Sequence, residues 1–148
     1  MNNSLTLASI LLCEDVLANP SGRLTLYNVF RDLEAATFPA SIVRAHVVTT
    51  WYNSGDTPAK FIVRVAIITP GEGETLVGDA AVTVQVAPGA YYTLVSRFRD
   101  LLLPLPGAYR VQVQVETEVV SDLPLILVAA PGSDPNSALG LASDVAAQ

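Results

Sequence analysis

The chain has little with which to do chemistry. Its 148 residues include one cysteine and one histidine. A lone Cys13 excludes an intramolecular disulfide and a cysteine-based zinc site, and its place in an apolar run reads as inert core. A lone His46 excludes a histidine-rich metal centre and leaves at most a single Ser-His-Asp arrangement. Such a triad needs the imidazole within reach of both a nucleophile and an orienting carboxylate. Charge is scarce as well: charged residues make up 15% of the chain, against roughly 25% in average proteins. Hydrophobic residues supply 51%, and the mean hydropathy is +0.43.

Long apolar runs are also missing. The longest falls far short of the roughly 20 residues that a membrane-spanning helix needs. Met1-Asn2-Asn3-Ser4 opens without a basic stretch, so no export signal is read and a cytoplasmic location is expected. Asn2-Asn3-Ser4 fits a glycosylation sequon, but without a secretory route the match is chance. An outer-membrane barrel would bring aromatic girdles and an export signal, and neither is seen.

Eight Lys and Arg face fourteen Asp and Glu, giving a net charge of −6. That balance opposes nucleic-acid binding, which needs clustered basic side chains. The basic residues are scattered along the sequence. Arg97 and Arg99 form the one close pair, and they read as a solvated guard on a strand edge rather than a phosphate clamp.

What the chain does have is alternation. Tyr109-Arg110-Val111-Gln112-Val113-Gln114-Val115-Glu116 switches between apolar and polar without a slip, directly after the turn Leu105-Pro106-Gly107. This is the pattern of a half-buried strand. Further strands are read at Leu5–Cys13, Arg23–Phe30, Ile42–Tyr52, Lys60–Thr69, Thr75–Val86, Tyr91–Leu103 and Leu123–Ala129, with a short edge strand at Ala36–Phe38. Turn chemistry separates them at Ala18–Gly22, Asn53–Pro58, Pro70–Glu74 and Pro88-Gly89. On the strand at Ile42–Tyr52, Val43, Ala45, Val47 and Trp51 share one parity, while Arg44, His46, Thr50 and Tyr52 share the other. Trp51 is therefore expected in the core and His46 on the surface. On Thr75–Val86, the inward set is Leu76, Ala80, Val82, Val84 and Val86.

The fold class that follows is all-β, an immunoglobulin-like antiparallel β-sandwich of about eight strands with a C-terminal tail. Residues 1–130 form the sandwich domain and residues 131–148 the tail. Tyr109, just before a late strand, is placed to act as a tyrosine corner. The tail begins with Pro131-Gly132-Ser133-Asp134-Pro135 and continues with small residues, so it is expected to be disordered alone and to be ordered by a neighbouring subunit.

No constellation singles out a catalytic, cofactor or metal site. The acidic groups Glu14-Asp15, Asp32 with Glu34, Glu72 with Glu74, and Glu116, Glu118 and Asp122 lack the density of a calcium loop. Any carboxylate pair could imitate a glycosidase dyad among fourteen acidic residues, so none is informative. Gly71-Glu72-Gly73 lacks the strand-to-helix setting of a dinucleotide loop. Tyr27, Tyr52, Tyr91 and Tyr92 offer either a partner or sugar platform or ordinary cross-strand packing.

Ala8-Ser9-Ile10-Leu11-Leu12-Cys13-Glu14-Asp15-Val16, followed by Gly22-Arg23-Leu24-Thr25-Leu26-Tyr27-Asn28-Val29-Phe30, resembles an uncharacterised family of small bacterial β-sandwich proteins of unknown function. The Pro106-Gly107-Ala108-Tyr109 strand start is similar too, and the resemblance spans residues 5–129. It implies a sandwich and carries no catalytic residues. Low charge, and a first strand apolar on both parities, lead to the expectation of a non-enzymatic protein. It would act through protein-protein contacts with itself or another protein, as a homo-oligomer or a subunit of a larger assembly. No cofactor, nucleic acid or membrane is expected as a partner. The alternative is a ligand-binding module for carbohydrate or calcium that uses end loops and exposed tyrosines.

Overall fold

The structure is a computed structural model that describes residues 4–71 and 73–131. The expected tail from residue 132 onward and the carboxylate of Glu72 lie outside the described residues. Those residues form nine strands: β1 (Leu5–Ala18), β2 (Leu24–Phe30), β3 (Asp32–Ala35), β4 (Ala40–Asn53), β5 (Ala59–Ile68), β6 (Leu76–Val86), β7 (Tyr91–Leu103), β8 (Gly107–Val115) and β9 (Glu118–Ala129). They make two sheets, ordered β2-β1-β4-β7 and β3-β9-β8-β5-β6.

The chain is thus an all-β, two-sheet sandwich, and period-2 alternation explains why. From β4 come Ala45, Val47 and Trp51, from β5 Phe61, Val63, Val65 and Ile67, and from β8 Tyr109, Val111, Val113 and Val115, all buried between the sheets. Trp51 stacks tilted on Phe61, with ring centroids 5.4 Å apart, and its indole N–H donates to Thr49 Oγ1 at 2.9 Å. Buried Asn53 closes one end of the sandwich. Its amide donates to the carbonyls of Thr57 and Val86, and its Oδ1 accepts from the Gly55 N–H.

The chain crosses between the sheets at Leu103–Gly107. There the Tyr109 hydroxyl donates to the Leu105 carbonyl at 2.7 Å and accepts from the Leu105 N–H at 3.1 Å. Gly107, at φ 138°, lies against Pro70, where a Cβ would come 3.0 Å from Cγ. Neither the φ nor the space admits another residue.

Four expectations need correction. The short edge strand lies at Asp32–Ala35, not Ala36–Phe38, and pairs in parallel with β9 (Asp32↔Ile126). No residue pattern in so short a strand announces its partner. The last strand begins at Glu118 and bulges opposite Val113/Gln114, and its Pro124 precedes Ile126, the first residue of β9 that pairs with β3. Leu76 and Val82 are exposed, since β6 is the end strand of its sheet and lacks a neighbour on one side. His46 is only 7% exposed. Parity placed it correctly on the outer face of its sheet, but β1 parts from β4 after Cys13↔His46, continues with β2 as far as Ala18, and covers that spot.

Candidate functional site

Where β1 peels away from β4, it leaves a cleft of about 190 Å³. Arg44 and His46 of β4 and Arg97 and Arg99 of β7 line it, together with Phe98 and with Asp15 and Val16 from the departing end of β1. The antiparallel register explains the gathering: His46 stands opposite Arg97, and Arg44 opposite Arg99. Three of the seven arginines and the single histidine of an acidic chain therefore meet on one patch.

Asp15 answers part of this charge. Its Oδ2 lies 3.3 Å from Arg44 Nη1, and its Oδ1 accepts the Val16 N–H at 2.8 Å. Arg97 and Arg99 have no ion-pair partner among the described residues. His46 Nδ1 is 3.0 Å from the Glu14 carbonyl, an acceptor only, so Nδ1 carries the proton there.

Cys13, fully buried, stands opposite His46 in the register. Burial pushes its thiol up from the ordinary value, and the Asp15 charge adds to the rise. That is the reverse of the depression a reactive thiolate needs. His46 spends its Nδ1 on a main-chain carbonyl rather than on an orienting carboxylate.

The other residues singled out in the sequence are spread apart. Tyr52 and Tyr91 pair across β4 and β7 with centroids 4.8 Å apart, and Tyr91 is exposed beside Tyr92. Tyr27 pairs with Asp15, far along β1 from Thr6, which faces Tyr52. Arg110 bridges Asp122 and Glu74. Its hydrogen bond holds the Asp122 carboxyl below the usual range and raises its own value. Among the described residues, no three of His, Cys, Asp or Glu gather as metal ligands, and no helix is long and apolar enough to cross a membrane.

Two sheet edges carry almost no charge. The end strand β2 (LTLYNVF) has none, and Tyr27 and Val29 are exposed on it. The end strand β6 has only Asp79, which Arg64 engages at 3.4 Å. Beside β2 an apolar groove of about 210 Å³ runs between Ile10, Leu12 and Phe30 on one side and Leu123 and Ile126 on the other.

The basic cleft escaped the sequence reading. Arg44 and His46, like Arg97 and Arg99, show the i, i+2 spacing of one strand face, but only the β4–β7 register shows that the two faces coincide.

No curated protein matches the chain. Among solved structures it is similar to a Pseudomonas fluorescens alkylpurine DNA glycosylase, AlkC, bound to DNA containing an abasic site analog. The identity is 13% and the TM-score 0.56, over 86% of this chain and 31% of that one. It is also similar to a Listeria innocua β-glucosidase in complex with gluconolactone, at 16% identity and a TM-score of 0.50, over 81% of this chain and 16% of that one. The chain thus spans less than a third of the length of these proteins, and at such identities the likeness shows the fold alone. A family model, by contrast, matches residues 8–128, and the chain belongs to that family, a family of unknown function (DUF6941).

Proposed function

We propose that this chain is a non-enzymatic, immunoglobulin-like module that works through protein-protein contacts, as a homo-oligomer or a subunit of a larger assembly. The observation that carries the reading is the uncharged β2 edge with Tyr27 and Val29 exposed on it. Soluble sandwiches usually guard such an edge with Lys, Pro or inward charges, because its unpaired N–H and C=O groups template another strand. A partner strand laid along such an edge would satisfy those groups. A second copy pairing β2 to β2 about a two-fold axis would satisfy both edges with one surface.

The immunoglobulin-like assignment rests on the Tyr109 corner at the start of β8 and on the sheet order. With β1, β4 and β7 as strands A, B and E, and β5, β6, β8 and β9 as C, C′, F and G, the order of these seven strands is compatible with that of the variable-type sandwich, while β2 and β3 carry no letter and strands D and C″ have no counterpart. The large indole departs from it. Trp51 sits on the B-equivalent strand and packs toward Phe61 on the C-equivalent one.

The test is the light-scattering mass of the full chain and of Val29→Lys across a concentration series. A defined oligomer that Val29→Lys dissociates supports the reading, and a monomer for both at every concentration overturns it. A sugar-binding platform at Tyr52 and Tyr91 is the second reading, favoured by the tilted contact between half-buried Tyr52 and exposed Tyr91. It would show as a monomer whose melting temperature rises with glycan.

A further inference from the structure

We infer that the cleft between β1 and the β4–β7 pair is a binding site for a phosphate group, either inorganic phosphate or a small phosphate monoester. Gathering these cations has a cost. Like charges directly opposite on antiparallel strands repel, and here Arg44 faces Arg99, with Arg97 two residues along the same strand face. With Asp15 set against one guanidinium, the patch keeps an excess of two positive charges. It keeps them in a chain whose net charge is −6, where carboxylates to neutralise them are plentiful. An edge guard does not explain the pattern. Arg97 and Arg99 lie on the end strand β7, and Arg44 lies on β4 just past its last pair with β1, but guarding an edge needs no convergence, and these three guanidinium groups line one cleft together with His46.

The ligand follows from charge and room. Two excess positive charges match a phosphate, which carries about −1.5 to −2 near neutral pH. A single carboxylate would leave half of the excess unanswered. At about 30 Å³ for each water, a cleft of about 190 Å³ holds roughly six waters, enough for the five heavy atoms of a phosphate group. A larger substituent would have to project from the open side. Guanidinium forks suit phosphate oxygens because each offers two parallel N–H donors. Arg97 and Arg99 have both forks uncommitted to any carboxylate among the described residues.

The experiment is isothermal titration and thermal unfolding of the full chain with inorganic phosphate and with glycerol phosphate. Chloride at matched ionic strength is the reference, and Arg99→Gln is the variant. Saturable binding is expected, with a rise in melting temperature that chloride does not reproduce. Loss of one charge-assisted contact should weaken it on the order of 10- to 100-fold in Arg99→Gln. Without phosphate, Arg99→Gln should melt no lower than the parent, because it removes a repulsion. Tighter binding of the monoester identifies an ester as the source, and equal or weaker binding identifies the free anion. An unsaturable response shared by phosphate and chloride, or equal affinity in the variant, overturns the proposal. The readout is independent of oligomeric state, so this site and the β2 contact can fail separately.

Discussion

Tyr109→Phe removes one oxygen atom and tests whether the crossing between the sheets is fastened or merely shaped. The hydroxyl donates to the Leu105 carbonyl and accepts from the Leu105 N–H, while its ring is fully buried. Phenylalanine keeps the ring and its packing, so the cavity term that accompanies truncation of an aromatic is absent. Each hydrogen bond is worth about 0.5–1.5 kcal/mol net. Leu105 itself is exposed, so water can recover its main-chain groups, and the loss should sit near about 1–2 kcal/mol. For a domain of this size that is a fall of about 3–7 °C in melting temperature. Urea unfolding followed by the emission of the single, buried Trp51 reads it directly, and the slope should be unchanged. Tyr109→Ala, which also empties the ring site, should cost about 3–5 kcal/mol. A Tyr109→Phe loss below about 0.3 kcal/mol would refute the reasoning, given a hydrogen-bond worth of that order. The corner would then be a consequence of the crossing and not a cause of it.

Gly78→Ala should cost about 1–2 kcal/mol, because the new Cβ would stand 2.9 Å from Phe98 Cδ1 and 3.0 Å from Leu101 Cδ2. A higher urea midpoint for this variant would mean that β6 and β7 do not close so tightly. Asp122, held below its ordinary value chiefly by the Arg110 hydrogen bond, contributes stability that is full above the unfolded carboxyl value and lost as pH falls through the lowered one. The gap in urea midpoint between the parent and Asp122→Asn should therefore narrow from pH 7 to pH 3; a gap that widens would contradict the sign.

Period-2 alternation makes most of the fold legible in the sequence. It places Trp51, the Phe61–Ile67 strand and the Tyr109–Val115 strand in the core, because burial on one face leaves its mark at every second residue. It also puts the Tyr109 hydroxyl where a corner would form. The misses share a cause. Val82 has an inward parity, but exposure at a sheet end is set by which strand lies beside it, and strand neighbours are not written into one strand's pattern. His46 has an outward parity, yet the end of β1, which parts from β4 while staying paired with β2, covers it. The basic cleft is the same kind of fact: Arg44 and Arg99 are far apart in sequence, and only pairing makes them neighbours.

The parallel pairing of β3 with β9 joins Asp32 to Ile126, so one of the first strands to be synthesised docks on the last. During translation the early strands β1 and β2 can pair with each other at once, while β3 must wait until almost the whole domain has left the ribosome. Pairings of such separation are slow to form, because loop entropy is lost before contact energy is gained. Until then the strands emerge with their apolar faces open, and the uncharged β2 edge is available to any neighbouring chain. If the β2-to-β2 contact proposed above forms, two nascent copies on one message would meet at that edge before either had closed, and assembly and folding would become a single event.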